Sequence, residues 1–364
     1  MDRREFLSAS AAAATGGLSL DGLSRPALAN GAKTLTMVTT WPKDYVGLGE
    51  SASRLAARVR TMSGGRLSIT VYAAGELVPA FEAFEAVANG TADLYHGAET
   101  YWESRSSAFN FFCAVPFGLT AIETSAWIHH GGAQALWDAL SAPYGIKPML
   151  ASATGVQMGG WFNKEIKRVE DFKGLRMRIP GLGARILKEV GAVPVALPGS
   201  QIHDALRDGA IDAAEWIGPW SDLALDLQKV ARYYYYPGFH EPGTSLAVGI
   251  NLGVWRGLSD QERAIIEAAC GAEHAFSLAE YNARNGDALH TLVTNHGVQL
   301  RAFPTQVLLE LGKTAGRVVR AAAADSPETR RIYDHYTAFR RKALTWAQLS
   351  DQAFWNARSL PFEY

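Results

Sequence analysis

The sequence predicts an α/β fold built from two similar halves, and three observations carry that prediction. Residues 34–72 read strand, helix, strand; the stretch Glu85–Asp93 recurs without gaps at Asp204–Asp212; and one helical pattern runs from Ser259 to about His296 before a helix-rich C-terminus. Composition allows it, since 364 residues that are 48% hydrophobic and 20% charged can fill one large or two ordinary cores. Thirty-five basic and 36 acidic residues give a net charge of -1 with no block of like charge, which excludes a nucleic-acid partner. Beyond the first residues no run of about 18 uncharged apolar residues could span a bilayer.

Residues 1–29 read as a removable export signal. Arg3-Arg4 precede Phe6-Leu7, a mild Ala- and Gly-rich stretch follows, and Ala27-Leu28-Ala29 is an A-x-A cleavage site, an order that resembles a bacterial twin-arginine signal. The expected location is the periplasm. Disulfides are permitted there, but two cysteines make no scaffold; Cys113 and Cys270 are read as buried free thiols, with a single bridge between them as the alternative.

The elements follow in order. Thr34–Val38 alternates polar with apolar and is stopped by Thr40-Trp41-Pro42, so it is a strand. Leu55, Ala56, Val59 and Met62 fall at helical spacing within Gly49–Met62, Ser63-Gly64-Gly65 ends that helix, and Leu67–Tyr72 is the next strand. A βαβ unit implies a parallel sheet with helices packed on it. Each copy of the repeated stretch reads as the last turns of a helix, an Asn-Gly or Asp-Gly stop, and a strand entered through aspartate. A spacing of about 120 residues is too wide for a solenoid, so either the halves are alike or a common helix–Gly–strand joint has recurred by itself. Between the copies come a helix over about Ile122–Leu140 and strands near Lys147–Ala153 and Gln157–Phe162. The chain crosses between halves around Ala151–Thr154, returns after Tyr233–Gly238, and continues in a crossing strand at Thr244–Leu252. Ser259 and Glu262 have capping-box spacing at the head of the long helix; a strand at Val298–Phe303 and helix from about Thr305 to Ser350 complete the chain.

Catalytic signatures are missing: there is no H-E-x-x-H, C-x-x-C, G-x-S-x-G or P-loop, and Gly181-Leu-Gly183 lacks the third glycine of a dinucleotide fingerprint. Two features remain. Gly174–Pro180 alternates strictly, placing Leu175, Met177 and Ile179 on one strand face and Arg176 with Arg178 on the other. Arg178 stands at the strand end, where α/β sheets bind ligands and a guanidinium can grip a carboxylate by two parallel hydrogen bonds; the alternative is a pair of surface salt bridges. Glu215 lies beside Trp216, Gly218-Pro219 and Trp220, so if buried it needs a metal ion or an arginine, and otherwise it is an exposed loop residue.

The run Gly174-Leu-Arg-Met-Arg-Ile-Pro-Gly181, with the segment from Glu189 through Ile211-Asp-Ala-Ala-Glu-Trp216, resembles the signature of the extracytoplasmic solute-binding subunits of TRAP transporters, the DctP-type family. The resemblance covers essentially the whole chain after the signal. Gly97–Trp102, Asn110–Phe112 with Val115–Gly118, and Gly155–Trp161 resemble the branch that binds 2-oxo acids such as pyruvate, or 2-hydroxy acids. It implies a two-domain Venus flytrap with crossing strands and a long hinge-spanning helix. Domain I would take 30–152 plus about 240–285, domain II 153–239 plus about 286–325, and a helical extension 326–364. The resemblance also implies a carboxylate clamp at Arg178 and a metal cation held by Gln157, Glu215 and the Trp216 carbonyl, with sodium ahead of calcium and zinc unsuited to oxygen ligands. Tyr101 and Trp102 would close the pocket, and Glu241 would be a further substrate contact. The function expected is non-enzymatic capture of a small monocarboxylate and its delivery to membrane permease subunits; the alternative is an exported metal-assisted enzyme acting on a small organic acid. The long helix and tail point to a homodimer by C-terminal helix exchange, as the resemblance implies for some 2-oxo acid receptors; the alternative is a helix that crosses the back of both domains within one chain, kinked near Gly271 or Gly286.

Overall fold

A computed structural model describes residues 32–363; the signal expected at 1–29 lies outside the described residues. One lobe opens with β1 (Lys33–Thr39), α1 (Leu48–Met62), β2 (Leu67–Tyr72), α2 (Ala83–Ala88) and β3 (Leu94–Gly97), then α3 (Ala121–His129), α4 (Ala133–Ser141) and β4 (Ile146–Gly155). The second lobe holds β5 (Gly160–Phe162), β6 (Arg176–Arg178), α5 (Gly181–Glu189), β7 (Val193–Val195), α6 (Ile202–Arg207), β8 (Ala213–Ala214), α7 (Pro219–Ala224) and β9 (Tyr233–Tyr236). The chain returns in β10 (Thr244–Asn251) and α8 (Leu252–Gly257), and ends in α9 (Asp260–Thr294), β11 (Gln299–Ala302), α10 (Thr305–Ala322), α11 (Pro327–Leu349) and α12 (Asp351–Arg358).

The two sheets share one plan. The first is ordered β2-β1-β3-β10-β4 and the second β7-β6-β8-β5-β9, with β11 added beyond β9. The first three strands of each are parallel, and the fourth, β10 or β5, runs against both its neighbours. The βαβ unit gives the parallel β1–β2 pair expected, but each sheet as a whole is mixed: β10 enters only on the return from the second lobe and β5 only on the way in, so no βαβ crossover dictates their direction.

The repeated stretch is the same joint in both lobes. Gly90 and Gly209 take φ of 82° and 66°, the left-handed region glycine enters without a Cβ clash. Asp93 N–H donates to the Thr36 carbonyl (2.9 Å) while its carboxylate accepts from Thr36 N–H (2.7 Å); Asp212 repeats both bonds with Arg176, at 2.8 and 2.9 Å. Each aspartate thus locks the incoming strand to the middle one of the three parallel strands in its own sheet.

Two helix assignments change. The stretch Ile122–Leu140 is two helices, α3 and α4, because Gly131-Gly132 interrupts it. The tail likewise divides at Ala323–Ser326, where the Ser326 hydroxyl accepts from Thr329 N–H (3.0 Å) and Pro327 takes the first helical position, restarting the helix as α11. Helix α9 is a single 35-residue element whose Ser259/Glu262 capping box forms as the spacing predicted. It serves both lobes: Ala153 N–H of β4 donates to Ser277 Oγ (3.1 Å), Glu273 accepts from Arg54 of α1, and Trp220 N–H of α7 donates to Asn285 (3.1 Å). Cys113 and Cys270 are free and buried. Tyr336 and Arg340 dock α11 on residues 117–119, but beyond them Leu344, Trp346, Leu349, Phe354, Trp355, Leu360 and Phe362 lie exposed. Among the described residues no helix is long and apolar enough to cross a membrane.

Candidate functional site

Strand β6 has the alternation its sequence predicts, and its two arginines divide the two readings between them. Leu175, Met177 and Ile179 are buried; Arg176 is exposed and pairs with Asp212 (2.6 Å), a surface salt bridge. Arg178 is only 2% exposed. Its Nε donates to the Leu197 carbonyl (3.0 Å), its Nη1 to the Glu215 carbonyl (3.2 Å) and to the Glu215 carboxylate, and its Nη2 makes a long 3.4 Å contact with the Tyr101 hydroxyl. Burial works against the guanidinium, yet Glu215 and Tyr101 beside it hold its pKa above the usual arginine value.

Glu215, 1% exposed at the end of β8, is the buried carboxylate that needs a cation, and Arg178 is that cation here. Its other oxygen lies 3.3 Å from His240 Nε2. The backbone fixes the geometry, because Glu215 N–H donates to the Arg178 carbonyl (3.1 Å), so the two residues sit side by side on adjacent parallel strands.

The crossings between lobes supply the rest. Gln157, between β4 and β5, donates from Nε2 to Thr244 Oγ1 (2.9 Å), and the Thr244 hydroxyl donates to Glu241 Oε2 (2.5 Å). A threonine whose one proton is committed to Glu241 can only accept from Gln157, which fixes the amide orientation. Gln157 Oε1 is then left buried and without a hydrogen-bond partner. Glu241 is buried as well, and burial, followed by the nearby charge of Glu215, pushes its pKa up.

These groups line one narrow cavity of about 20 Å³ between the lobes. Tyr101, Gln157, Arg178, Glu215, Trp216 and Glu241 are all on its wall, joined by Trp41, Leu48, Thr154 and Thr244. Trp102 is not; that expectation is corrected. Residues 99–102 form a 3₁₀ turn, whose successive side chains point about 120° apart, so with Tyr101 at the cavity Trp102 turns into the lobe core against Phe84 and Tyr95, at 5.4 and 5.6 Å between ring centroids. The sequence reading missed His240, Thr244 and Tyr45, whose hydroxyl accepts from Trp216 Nε1 (2.9 Å) and donates to the Ser221 carbonyl (2.5 Å), tying the first lobe to the second. No local spacing signals His240 and Tyr45, whose partners lie 25 and 171 residues away; Thr244 has Glu241 three residues before it, but its bond to Gln157 spans 87.

Among the described residues no three His, Cys, Asp or Glu side chains are grouped to hold a metal. The set expected here, an amide oxygen, one carboxylate and a backbone carbonyl, is of another kind, and the unpartnered Gln157 oxygen on the cavity wall fits it.

Residues 37–325 match the family of bacterial extracellular solute-binding proteins, family 7, DctP. A monocarboxylate 2-oxoacid-binding periplasmic protein of Nostoc sp. is 39% identical over 323 residues, 89% of this chain and 88% of that one. A TRAP transporter solute binding protein from Bordetella bronchiseptica has a TM-score of 0.89 at 36% identity, covering 90% of this chain and 98% of that one; it is a mixed-occupancy dimer with calcium and picolinate in one site and an apo site. A TRAP periplasmic solute binding protein from Pseudoalteromonas atlantica, with bound sodium and pyruvate, has a TM-score of 0.87 at 33% identity over 91% of this chain and 100% of that one.

Proposed function

Because the chain belongs to the DctP family of bacterial extracellular solute-binding proteins, which are receptors and not enzymes, we propose that it is the periplasmic receptor of a TRAP transporter. It binds a small monocarboxylate, a 2-oxo acid such as pyruvate or a 2-hydroxy acid, together with a metal cation, and delivers it to the membrane permease subunits. The observation that carries this reading is the buried Arg178–Glu215 pair on the wall of a small inter-lobe cavity, with the Gln157 amide oxygen unpartnered beside it.

Arg178 receives the substrate carboxylate, for which a planar fork is the matched donor. Tyr101, on the opposite lobe, closes over the clamp. Gln157 Oε1, Glu215 and the Trp216 carbonyl hold the cation, an all-oxygen set suited to sodium, placed ahead of calcium, and the relatives hold one or the other. When bound, the cation supplies positive charge to the substrate's carboxylate and 2-oxo oxygens. Glu241 orients Gln157 through Thr244 and is the further candidate for a substrate contact. The exposed apolar side chains from Leu344 to Phe362 support pairing of two chains through exchanged C-terminal helices.

A thermal-shift screen of short 2-oxo and 2-hydroxy acids, each with sodium or calcium, tests the reading. At least one acid should raise Tm only when a cation is present, and mass spectrometry should recover it unchanged. No shift with any acid in either salt overturns it.

A further inference from the structure

The five N–H donors of Arg178 are almost all spent inside the protein. Nε is used by Leu197, the two hydrogens of Nη1 by the Glu215 carbonyl and carboxylate, and Nη2 faces Tyr101. A ligand carboxylate that takes two parallel bonds from this fork therefore competes with the Glu215 side chain. Glu215 cannot simply let go, because it is 1% exposed and a buried carboxylate stripped of its counter-charge is costly. It needs a replacement cation at the moment it yields the guanidinium.

We propose that ligand and metal cation bind by exchange of partners: the cation replaces Arg178 beside Glu215 while the ligand carboxylate replaces Glu215 on Arg178. The exchange converts one buried ion pair into two, and neither half is favourable alone. Anion without cation leaves Glu215 bare next to a second negative charge. Cation without anion leaves Arg178 buried with no carboxylate. The inference rests on the receptor reading above, and it assigns Glu215 a second task, as the internal competitor that keeps Arg178 from binding carboxylates indiscriminately.

The consequence is unusual for removal of a binding residue. With no cation present, Glu215→Gln should bind the anion more tightly than the wild type, since a neutral amide holds the guanidinium by an ordinary hydrogen bond only. Titration calorimetry with pyruvate as probe, in N-methylglucamine chloride with and without sodium or calcium, measures it. In the wild type, cation and pyruvate should each strengthen the other by the same factor, about 100-fold. In E215Q, cation-free affinity should rise about tenfold or more over the cation-free wild type, and adding cation should change it little.

Glu241→Gln separates exchange from a plain field effect, because Glu241 makes no hydrogen bond to Arg178; an equal gain in E241Q and E215Q overturns the proposal. So does wild-type binding of pyruvate and cation with independent affinities, a result that requires no variant to fold. Failure of every short 2-oxo acid to bind the wild type, even with cation, instead refutes the receptor reading beneath it.

Discussion

Gly181, three residues beyond Arg178 at the first position of α5, is a point where the second lobe closely approaches the first. A Cβ there would overlap Thr100 Oγ1 and fall 2.6 Å from Asn110 Oδ1, two buried atoms already hydrogen-bonded at 2.7 Å. Its φ of 59° adds a second cost for any residue with a side chain. Gly181→Ala should therefore carry two penalties that report differently. Left-handed backbone strain, about 1–2 kcal/mol, is present whether the cleft is open or shut and should appear as lost stability in urea unfolding. The overlap exists only while the two lobes meet, so overpacking of about 1–3 kcal/mol should appear in ligand binding, a rise in Kd of about 5- to 150-fold. Calorimetric titration with pyruvate and sodium reads the second term. Wild-type affinity in a correctly folded Gly181→Ala protein would refute the idea that this contact belongs to the ligand-binding arrangement.

Arg178→Lys should leave the protein folded but cost about 2–5 kcal/mol of ligand affinity, because an ammonium cannot reproduce the bidentate fork that grips a carboxylate; near wild-type titration would remove Arg178 from the site. Burial pushes the Glu99 carboxyl up to about 7, so its native form binds a proton more tightly than the unfolded chain does. That contribution to stability is complete below about pH 4.5 and is lost as pH rises through 7; Glu99→Gln should flatten the profile and add on the order of 1–3 kcal/mol at pH 8, and an unchanged slope in urea unfolding would exclude Glu99 as its source. Light scattering on the processed protein should give twice the mass of a 335-residue chain (364 minus 29), and a mass of one chain would sink the proposed dimer.

What could be read in advance was whatever depends on neighbours in sequence. The alternation around Arg178, the Asn-Gly and Asp-Gly stops, and the Ser259 capping box are local rules, and each forms as written. The failures have equally local causes. Gly131-Gly132 is a break that apolar spacing alone does not announce, and Trp102 follows Tyr101 in sequence but not in direction, because a tight turn lies between two possible faces. His240 and Tyr45 escaped for a different reason. Their roles exist only through partners brought near by the fold, and no pattern within reach of either residue encodes the meeting.

Helix α9 adds a mechanical constraint. The first lobe grips it through Glu273, Ser277 and Glu280, the last paired with Arg54 (3.0 Å), and the second through Tyr281 and Asn285, so the two grips adjoin between Glu280 and Tyr281. Tyr281 belongs to the second grip: its ring packs edge-on against Trp220 (5.3 Å between centroids) and its hydroxyl accepts from Ser221 Oγ (3.2 Å), both on α7. A continuous helix held by two bodies permits rotation between them only by bending or twisting where the two grips adjoin. Rotation between the lobes is therefore opposed where the two grips adjoin, in series with the crossing strands, and the stiffness of the helix at that junction resists the swing.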